Sequence, residues 1–392
     1  MSTARETIGI AVVGHAFMGA VHSHAWRNVH RFFDPPLIPR LAVLGGRDEG
    51  RAKAAAERFG WADVETDWRA LIARDDVDLV DICTPGDSHA EIAIAALEAG
   101  KHVLCEKPLA NTLAEAEAMA EAAAKARERG VRSMVAFNYR RVPALAHARK
   151  LVASGALGEI RHVRSVYLQD WLSDPQSPMT WRLHKEKAGS GALGDLGAHI
   201  VDAAQFVTGD RITGVSALMN TFVPERPDGD GGLGQVTVDD TALFFGRLSG
   251  GAVAGFEVTR YALGRKNAMR LEVNGTKASL AFDFESMNEL SWFDGTEPAT
   301  EAGFRRILVT EPEHPYVGVW WPPGHLLGYE HTFTNEVADL LTAIGDGTDP
   351  EPSFEDGLRV QQVLDAVERS SADEARWTTV PDAGPVATAK RE

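Results

Sequence analysis

The chain has 392 residues, of which 44% are hydrophobic and 24% are charged, as is usual for folded globular proteins and not for disordered ones. This length is generous for one hydrophobic core and predicts two domains. Its 40 basic and 56 acidic side chains give a formal net charge of −16, which disfavours a nucleic-acid partner because such a charge repels phosphate backbones.

The first 140 residues alternate short apolar runs with helical periodicity. The apolar runs predict strands at 8–14, 41–44, 79–83, 102–105 and 133–137, and the amphipathic stretches predict helices at 18–31, 49–59, 89–99 and 113–129. The proline-containing stretch 34–39 is expected to be an extended insertion before the second strand. Buried strands that alternate with helices indicate a parallel, doubly wound sheet.

The pattern changes after residue 141. Helices are predicted at 143–154, 195–207, 331–344 and 354–369, and strands at 160–168, 212–222, 242–248, 252–259, 268–273 and 278–284. The turn sequences Ser249-Gly250-Gly251 and Asn274-Gly275 predict antiparallel hairpins. We therefore expect an α/β domain at 1–140, an α+β domain with a largely antiparallel open sheet at 141–382, and a disordered tail at 383–392.

The cysteine content and the apolar runs predict the cellular compartment of the protein. The two cysteines, Cys83 and Cys105, each lie in an apolar run and are expected to be buried thiols without a disulfide. The N-terminus lacks the apolar core of a signal peptide, and no uncharged apolar run is long enough to cross a bilayer. These features predict a cytoplasmic protein with no membrane partner.

A glycine-containing turn follows the first predicted strand. Gly14-His15-Ala16-Phe17-Met18-Gly19 matches a dinucleotide-binding fingerprint in which alanine replaces the middle glycine. Glycines allow the tight turn there, and the following helix N-terminus receives the pyrophosphate. Such turns also serve packing alone, but this one opens the first βαβ unit and predicts a nucleotide site at Gly14, Ala16, Phe17 and Met18.

The second strand ends in Gly45-Gly46-Arg47-Asp48, where a dinucleotide-binding sheet contacts the adenosine ribose. An arginine there favours the 2′-phosphate of NADP, whereas an aspartate favours the ribose hydroxyls of NAD. The expected cofactor is NAD or NADP, bound near Gly46, Arg47 and Asp48, and Arg47 tips the preference toward NADP. Alternatively, Arg47 is a solvated residue that only stacks on adenine.

Two further strand ends border the same crevice. They read Thr84-Pro85-Gly86-Asp87-Ser88-His89 and Glu106-Lys107-Pro108, and ligands of doubly wound sheets bind beyond strand C-termini. A lysine directly after a buried strand is unusual unless it is paired or used. Lys107 is a candidate to donate to a substrate hydroxyl or to transfer a proton; an ion pair with Glu106 is the structural alternative.

The segment Gly194-Asp195-Leu196-Gly197-Ala198-His199 supplies a third candidate group. Asp195 and His199 are four residues apart, so on a helix they share one face. A carboxylate beside an imidazole can orient it and set its pKa near 7 for proton transfer, although such pairs also occur on helix surfaces. The pair His22 and His24 lacks further metal ligands nearby in sequence, and no metal site is expected.

With these motifs, residues 8–370 resemble the glucose–fructose oxidoreductase and inositol dehydrogenase family of pyridine-nucleotide sugar dehydrogenases. The resemblance implies a Rossmann domain followed by a substrate-binding, oligomer-forming sheet domain. Lys107, Asp195 and His199 fall on the family's catalytic lysine, aspartate and histidine. Residues 138–141, 167–171 and 181–182 are most similar to the levoglucosan dehydrogenase branch.

The resemblance completes the expected site. Cofactor contacts are expected from Thr84, Pro85, His89, Glu106, Lys107 and Asn138 besides the fingerprint, and substrate contacts from Tyr139, Gln169, Trp171, Arg182, Asp195 and His199. The predicted function is NAD(P)-dependent oxidation of a ring secondary hydroxyl of a sugar, an anhydrosugar or a cyclitol, by a homodimer or homotetramer assembled through the C-terminal sheet. Two alternatives are an NAD-dependent glycosidase acting by transient redox and elimination, and a nucleotide-binding sensor without turnover.

Overall fold

The N-terminal half is a doubly wound α/β layer. The computed structural model describes residues 6–381, and the first part of it forms a six-stranded parallel sheet of order β3-β2-β1-β4-β5-β6. Its strands are β1 (Glu6–Val13), β2 (Leu37–Gly45), β3 (Asp63–Glu65), β4 (Leu79–Ile82), β5 (His102–Glu106) and β6 (Ser133–Ala136). Its helices are α1 (Phe17–Phe32), α2 (Glu49–Phe59), α3 (Trp68–Ile72), α4 (His89–Glu98) and α5 (Leu113–Arg127). The predicted Rossmann architecture is confirmed.

One prediction in this half is wrong in part. Strand β2 begins at Leu37 and includes Pro39, so only residues 34–36 precede the strand and the rest of the predicted insertion belongs to it. Pro39 pairs with Ile8 on one side, while β3 pairs only with Val43–Gly45 on the other. Because β2 is locally an edge strand at Pro39, the missing amide proton costs no ladder hydrogen bond.

The second half is built on a nine-stranded sheet of order β16-β15-β14-β13-β7-β12-β11-β8-β17. The strands are β7 (Ile160–Leu168), β8 (Ile212–Asn220), β11 (Thr241–Leu248), β12 (Val253–Thr259), β13 (Ala268–Gly275), β14 (Ala278–Asp283), β15 (Glu289–Asp294), β16 (Arg305–Leu308) and β17 (Thr378–Thr379); β9 (Glu225–Pro227) and β10 (Leu233–Gln235) form a separate hairpin. All neighbours are antiparallel except β7 and β12. Both predicted hairpins, β11–β12 and β13–β14, are present.

Sequence inspection missed the strands β9, β10, β15, β16 and β17. The strands β9 and β10 have three residues each, which is too short to show an alternating pattern.

The helices of this half are α6 (Pro143–Ala153), α7 (Lys185–Ala188), α8 (Ala198–Thr208), α9 (Tyr329–Asp346) and α10 (Phe354–Ala372). The predicted helix 195–207 is split, because a π-helical turn at Leu193–Gly197 precedes α8. This turn carries Asp195.

The two halves share cores. Phe333, Val337 and Leu341 of α9 join a buried cluster with Ile8 and Ile10 of β1, so a C-terminal helix covers the N-terminal sheet. The predicted boundary at residue 140 stays a prediction, and the predicted tail at 383–392 lies outside the described residues. This arrangement brings the C-terminal ends of the parallel strands against the second sheet.

Cys83 and Cys105 are buried free thiols, as predicted. Among residues 6–381, no helix has both the length and the apolar composition needed to cross a bilayer.

Candidate active site

Lys107 and Asp195 meet where the two halves join. Lys107 directly follows β5, and its Nζ donates to the backbone oxygen of Asp195 at 3.1 Å and to its Oδ1 at 3.2 Å. An ammonium has three N–H donors, so one remains after these two contacts. Burial would raise the pKa of Asp195, but Lys107 and Arg260 outweigh it and hold that pKa well below its usual range. The carboxylate is therefore ionised at neutral pH.

His199 lies buried beside this pair, in the first turn of α8. Its ring stacks on Tyr139 with centroids 4.2 Å apart and planes 18° apart. Burial and the neighbouring Lys107 together lower its pKa well below the usual value, against the opposing effect of Asp195. The imidazole is neutral at pH 7 and can accept a proton.

The predicted orientation of His199 by Asp195 is wrong. Within residues 6–381 no hydrogen bond joins them, and the buried Nδ1 of His199 has no partner. The Asp195 carboxylate is bound by Lys107 and by Arg260 instead, because two cations stabilise it more than a neutral imidazole does. Ring stacking on Tyr139 holds the histidine.

A chain of hydrogen bonds runs along one wall of the site. Trp171 Nε1 donates to Gln169 Oε1 at 2.9 Å, and Gln169 Nε2 donates to Asn267 Oδ1 at 2.8 Å. The same oxygen accepts from the Tyr167 hydroxyl at 2.7 Å, and that hydroxyl lies 2.7 Å from the hydroxyl of Tyr139. Three residues predicted to line a sugar pocket, Tyr139, Gln169 and Trp171, are thus physically linked.

Aromatic faces and cations border this wall. Trp171 is 44% exposed, and the guanidinium of Arg260 lies over it at 5.3 Å. Arg182 stacks on Trp181 at 4.4 Å and contributes to the low pKa of Asp195. Exposed tryptophan rings next to polar groups are suited to the apolar faces and hydroxyls of a sugar ring.

The predicted nucleotide turn has the geometry that its motif requires. Gly14 has a φ of +106°, and a Cβ on Gly19 would overlap the backbone oxygen of Gly14, so both glycines are needed. Ala16 is the N-cap residue of α1 and offers no side-chain oxygen to the first-turn amides. Phe17 is 65% exposed, and Met18 is partly buried. The helix N-terminus is therefore fitted to an anionic group.

Arg47 and Asp48 lie at the end of β2, as predicted. Asp48 caps α2 by accepting from the Arg51 amide at 2.9 Å. Arg47 is exposed. The ring of His15 packs so closely on Gly46 that a Cβ there would meet it. These residues lie directly after the C-terminal end of β2, beside the turn that contains His15.

The loops after β4 and β5 are tied together, and the loop after β6 is tied to α9. His89 is buried, with Nε2 lying 2.9 Å from the Thr84 oxygen and Nδ1 lying 3.1 Å from the Pro108 oxygen. Its ring therefore joins the loop that contains Thr84 and Pro85 to the loop after β5. Asn138 Nδ2 donates to Thr332 Oγ1 of α9 at 2.8 Å.

Glu106 belongs to a buried polar cluster beneath the site. Its Oε2 accepts from the Lys107 amide at 3.1 Å, and its Oε1 lies 2.9 Å from Nε2 of His22. Nδ1 of His22 lies 2.9 Å from Asp81 Oδ2. Burial would lower the pKa of His22, but Asp81 outweighs it and raises that pKa well above its usual value. A protonated imidazole thus bridges two carboxylates. The ion pair between Lys107 and Glu106, which was the structural alternative for Lys107, does not form, because Lys107 pairs with Asp195.

The same cluster bears on metal binding. His22, Asp81 and Cys83 have potential ligand atoms within 4.8 Å of one another, but both nitrogens of His22 already face carboxylates and Trp26 Nε1 donates to Asp81 at 2.7 Å. His24 lies outside this group. That the protein needs no metal stays a prediction.

Sequence inspection missed Arg260, Asp239, Tyr167 and Asn267 as site residues. Arg260 directly follows β12 and Asn267 directly precedes β13. The sequence feature that could have indicated them is that they are polar residues at or near the ends of strands.

Known proteins resemble both halves of this chain. Residues 8–137 match a family described as an oxidoreductase family with an NAD-binding Rossmann fold, and residues 145–281 match the GFO/IDH/MocA C-terminal domain. Levoglucosan dehydrogenase of Pseudarthrobacter phenanthrenivorans is 41% identical over 96% of this chain and 99% of its own length. A structure of a levoglucosan dehydrogenase in complex with NADH and levoglucosan superposes with a TM-score of 0.92 at 42% identity, covering 96% of this chain and 100% of that one. An oxidoreductase domain protein from Kribbella flavida superposes with a TM-score of 0.94 at 66% identity, with the same coverage of 96% and 100%.

Proposed function

The chain belongs to the GFO/IDH/MocA oxidoreductase family, and we propose that it oxidises a ring secondary hydroxyl of a sugar, a levoglucosan-like anhydrosugar or a cyclitol with a nicotinamide dinucleotide. The observation that carries the proposal is the cluster of Lys107, Asp195 and His199, in which a cation, a carboxylate and a neutral base converge. This cluster lies where the parallel strand ends meet the second sheet.

The dinucleotide fits the N-terminal crevice. The start of α1 has no side-chain cap, so its amides are available to a pyrophosphate, and Gly14 and Gly19 allow the tight turn and the close packing that bring this helix start to the strand end. When bound there, the cofactor supplies a hydride acceptor. The related structure contains NADH by its description, so the NADP preference predicted from Arg47 gains no support from it and remains a prediction.

Each catalytic side chain has a defined role in the proposed oxidation. The neutral imidazole of His199 removes the hydroxyl proton. The remaining N–H of Lys107 donates to the same oxygen and stabilises the negative charge that develops on it. Asp195 holds the ammonium in place and accepts a hydrogen bond from the substrate.

The substrate class follows from the wall of the pocket. Trp171 presents an aromatic face, and Gln169 and Tyr139 present polar groups fixed by Asn267 and Tyr167. Such a wall suits a compact ring with several hydroxyls. The levoglucosan relative is consistent with this class.

The open face of the C-terminal sheet is proposed to join copies of the chain. Leu218 of β8, Leu243 and Phe245 of β11 and Val253 of β12 lie on this face and are 48% to 72% exposed. Their register places Leu218 beside Leu243. A contiguous apolar face of this kind usually becomes an interface.

A screen of sugars, anhydrosugars and cyclitols with NAD and with NADP tests the activity. We expect reduction of the cofactor, followed by its near-ultraviolet absorbance, with at least one ring alcohol. Release of an aglycone from glycosides without a net absorbance change would replace the proposal by the glycosidase alternative. Dinucleotide binding without turnover across the panel would instead favour a sensor.

A further inference from the structure

The turn that carries Asp195 is held by a buried pair of charged residues. Asp239 lies just before β11, and Arg260 lies just after β12. These strands are paired, with Thr241 opposite Thr259, so the two residues leave adjacent strand ends. Both are buried, with 6% of Asp239 and 1% of Arg260 exposed.

Asp239 fixes the start of the turn. Its carboxylate accepts from the amide of Gly191 at 2.6 Å and from the amide of Leu193 at 2.8 Å. Its backbone oxygen accepts from the amide of Ala192 at 3.1 Å. A Cβ on Gly191 would overlap that backbone oxygen, so the segment approaches Asp239 as closely as only glycine permits.

Arg260 fixes the carboxylate itself. One nitrogen, Nη2, donates to the Gly191 oxygen at 3.0 Å and to Asp195 Oδ2 at 3.1 Å. Lys107 binds the other carboxylate oxygen, Oδ1, at 3.2 Å. Asp195 is therefore bridged between two cations, one of which comes from each half of the chain.

The rest of the guanidinium argues for a role beyond packing. Its Nε and Nη1 are buried and have no hydrogen-bond partner within residues 6–381. Burying an arginine with two unsatisfied nitrogens is costly, and an apolar side chain could fill the same space without that cost. The cost is understandable if the charge is needed beside Asp195.

We propose that Arg260 is a positioning residue of the reaction: together with Asp239 it holds the Asp195 carboxylate ionised and aimed at Lys107, so that the lysine keeps a fixed donor for the substrate oxygen. This inference rests on the proposed function. Because Arg260 also lies over Trp171, it joins the sugar-binding wall to the catalytic carboxylate.

Titration of Asp195 supplies a test that needs no substrate. The charged and titratable groups around this carboxylate are Lys107 after β5, Arg182 in the turn before α7, Arg260 after β12, His199 on α8 and the phenols of Tyr139, Tyr167 and Tyr329. The full-length protein would be labelled with carbon-13 at aspartate carboxyls, and the Asp195 signal assigned through Asp195→Asn. In the wild type we expect the signal to stay at its ionised position down to the lowest pH at which the fold persists.

In Arg260→Met, loss of one adjacent cation should raise the pKa of Asp195 by about one to three pH units. Arg226→Met is the matched control, since Arg226 is also fully buried but donates to the backbone oxygens of Leu172 and Asp174. The control should leave the Asp195 signal as in the wild type. An unmoved Asp195 titration in folded Arg260→Met would overturn the proposal.

Kinetics with the substrate found by the screen test the positioning itself. Arg260→Met should lower kcat by roughly 10- to 100-fold, as a small misplacement of a reacting group does, and should increase the deuterium isotope effect of a substrate labelled at the carbinol carbon. Arg260→Lys keeps the positive charge on a shorter side chain and should recover part of the lost kcat. If Arg260→Met fails to fold, Arg260→Gln, which keeps polar N–H donors but has no charge, decides: wild-type kcat and isotope effect in that variant would overturn the proposal. If the wild type oxidises no sugar, the proposed function is wrong. The titration would still test whether Arg260 acts on the Asp195 carboxylate.

Discussion

The imidazole of His199 and the phenol ring of Tyr139 lie face to face, 4.2 Å apart between centroids. This stack holds the proposed base in a buried site where its pKa is lowered, first by burial and then by Lys107. Burial also raises the pKa of Tyr139 to about 12, so the phenol stays protonated and does not compete as a base.

His199→Ala should lose about 10²- to 10⁴-fold in turnover, the usual contribution of a general base. In the wild type, a lowered pKa means that the imidazole is already deprotonated at pH 7, so kcat/KM for oxidation should fall only below about pH 6.5, the ordinary histidine value. Tyr139→Phe keeps the ring stack, and its kcat/KM should fall at low pH in the same range as that of the wild type. If kcat/KM of the wild type already falls with decreasing pH above neutrality, or if His199→Ala has near-normal turnover, His199 is not the base.

Asn267→Ala should weaken sugar binding without affecting the cofactor. Asn267 Oδ1 accepts from both Tyr167 and Gln169, so its loss frees the chain that holds Gln169 and Trp171. We expect KM for the sugar to rise roughly 10-fold, about 1.4 kcal/mol for one buried hydrogen-bonded contact, and the cofactor Kd to stay constant. Asn274→Ala, at the other end of β13, is the matched control, and an equal effect of both variants would contradict the assignment.

The sequence predicted the elements that rest on local pattern. Strands such as β5 are buried on both faces and stand out as short apolar runs, and a lysine directly after one of them stands out because lysine is rarely placed there. Lys107 could therefore be named as a candidate before the fold was known, and its catalytic role stays a prediction. The Rossmann fold and the family resemblance are confirmed.

What could not be predicted depends on contacts between distant segments. Arg260 binds Asp195, which lies 65 positions earlier in the sequence. No periodic pattern of residues in the sequence indicates such a pair. The predicted pairing of Asp195 with His199 failed for the same reason. Helical spacing places the two near each other, but Lys107 and Arg260, which come from other strands, decide where the carboxylate points.

Arg47→Ala tests the cofactor preference. If Arg47 binds a 2′-phosphate, its loss removes a charge-assisted hydrogen bond of about 1.5–3 kcal/mol, which is roughly a 10- to 150-fold change in the ratio of NADP to NAD affinity. Cofactor Kd values for the wild type and the variant give this ratio. Arg58→Ala, at an exposed position further along α2, is the matched control. An unchanged ratio in Arg47→Ala would mean that Arg47 only stacks on adenine.

Phe245→Asp tests the proposed assembly face. Phe245 is 72% exposed in the middle of β11, and a charge there should split an oligomer that uses this face because it would be desolvated without a partner. Light scattering after size-exclusion chromatography measures the mass. Leu263→Asp is the control, since Leu263 is 81% exposed but lies outside β8, β11 and β12. The same mass for the wild type and Phe245→Asp would exclude this face as the interface.

Glu336→Gln should change how stability depends on pH. Glu336 on α9 is fully buried, and neither carboxylate oxygen has a hydrogen-bond partner within residues 6–381. Burial raises its pKa to about 8, despite the nearby Arg141 and His22. The folded protein therefore keeps this proton between about pH 4.3, the ordinary glutamate pKa, and pH 8, whereas the unfolded chain has lost it.

Since the folded state binds the extra proton, the Glu336 contribution to stability falls as pH rises through this window, by about 1.4 kcal/mol per pH unit. Glutamine resembles the protonated carboxyl and removes this dependence. The gain in unfolding free energy of Glu336→Gln over the wild type, measured by denaturant titration, should therefore be larger at about pH 7.5 than at about pH 5.5. Glu121→Gln, at an exposed position paired with Lys125, should show little change between these two conditions. A gain in Glu336→Gln that is the same at both would mean that the glutamate is ionised in the folded protein.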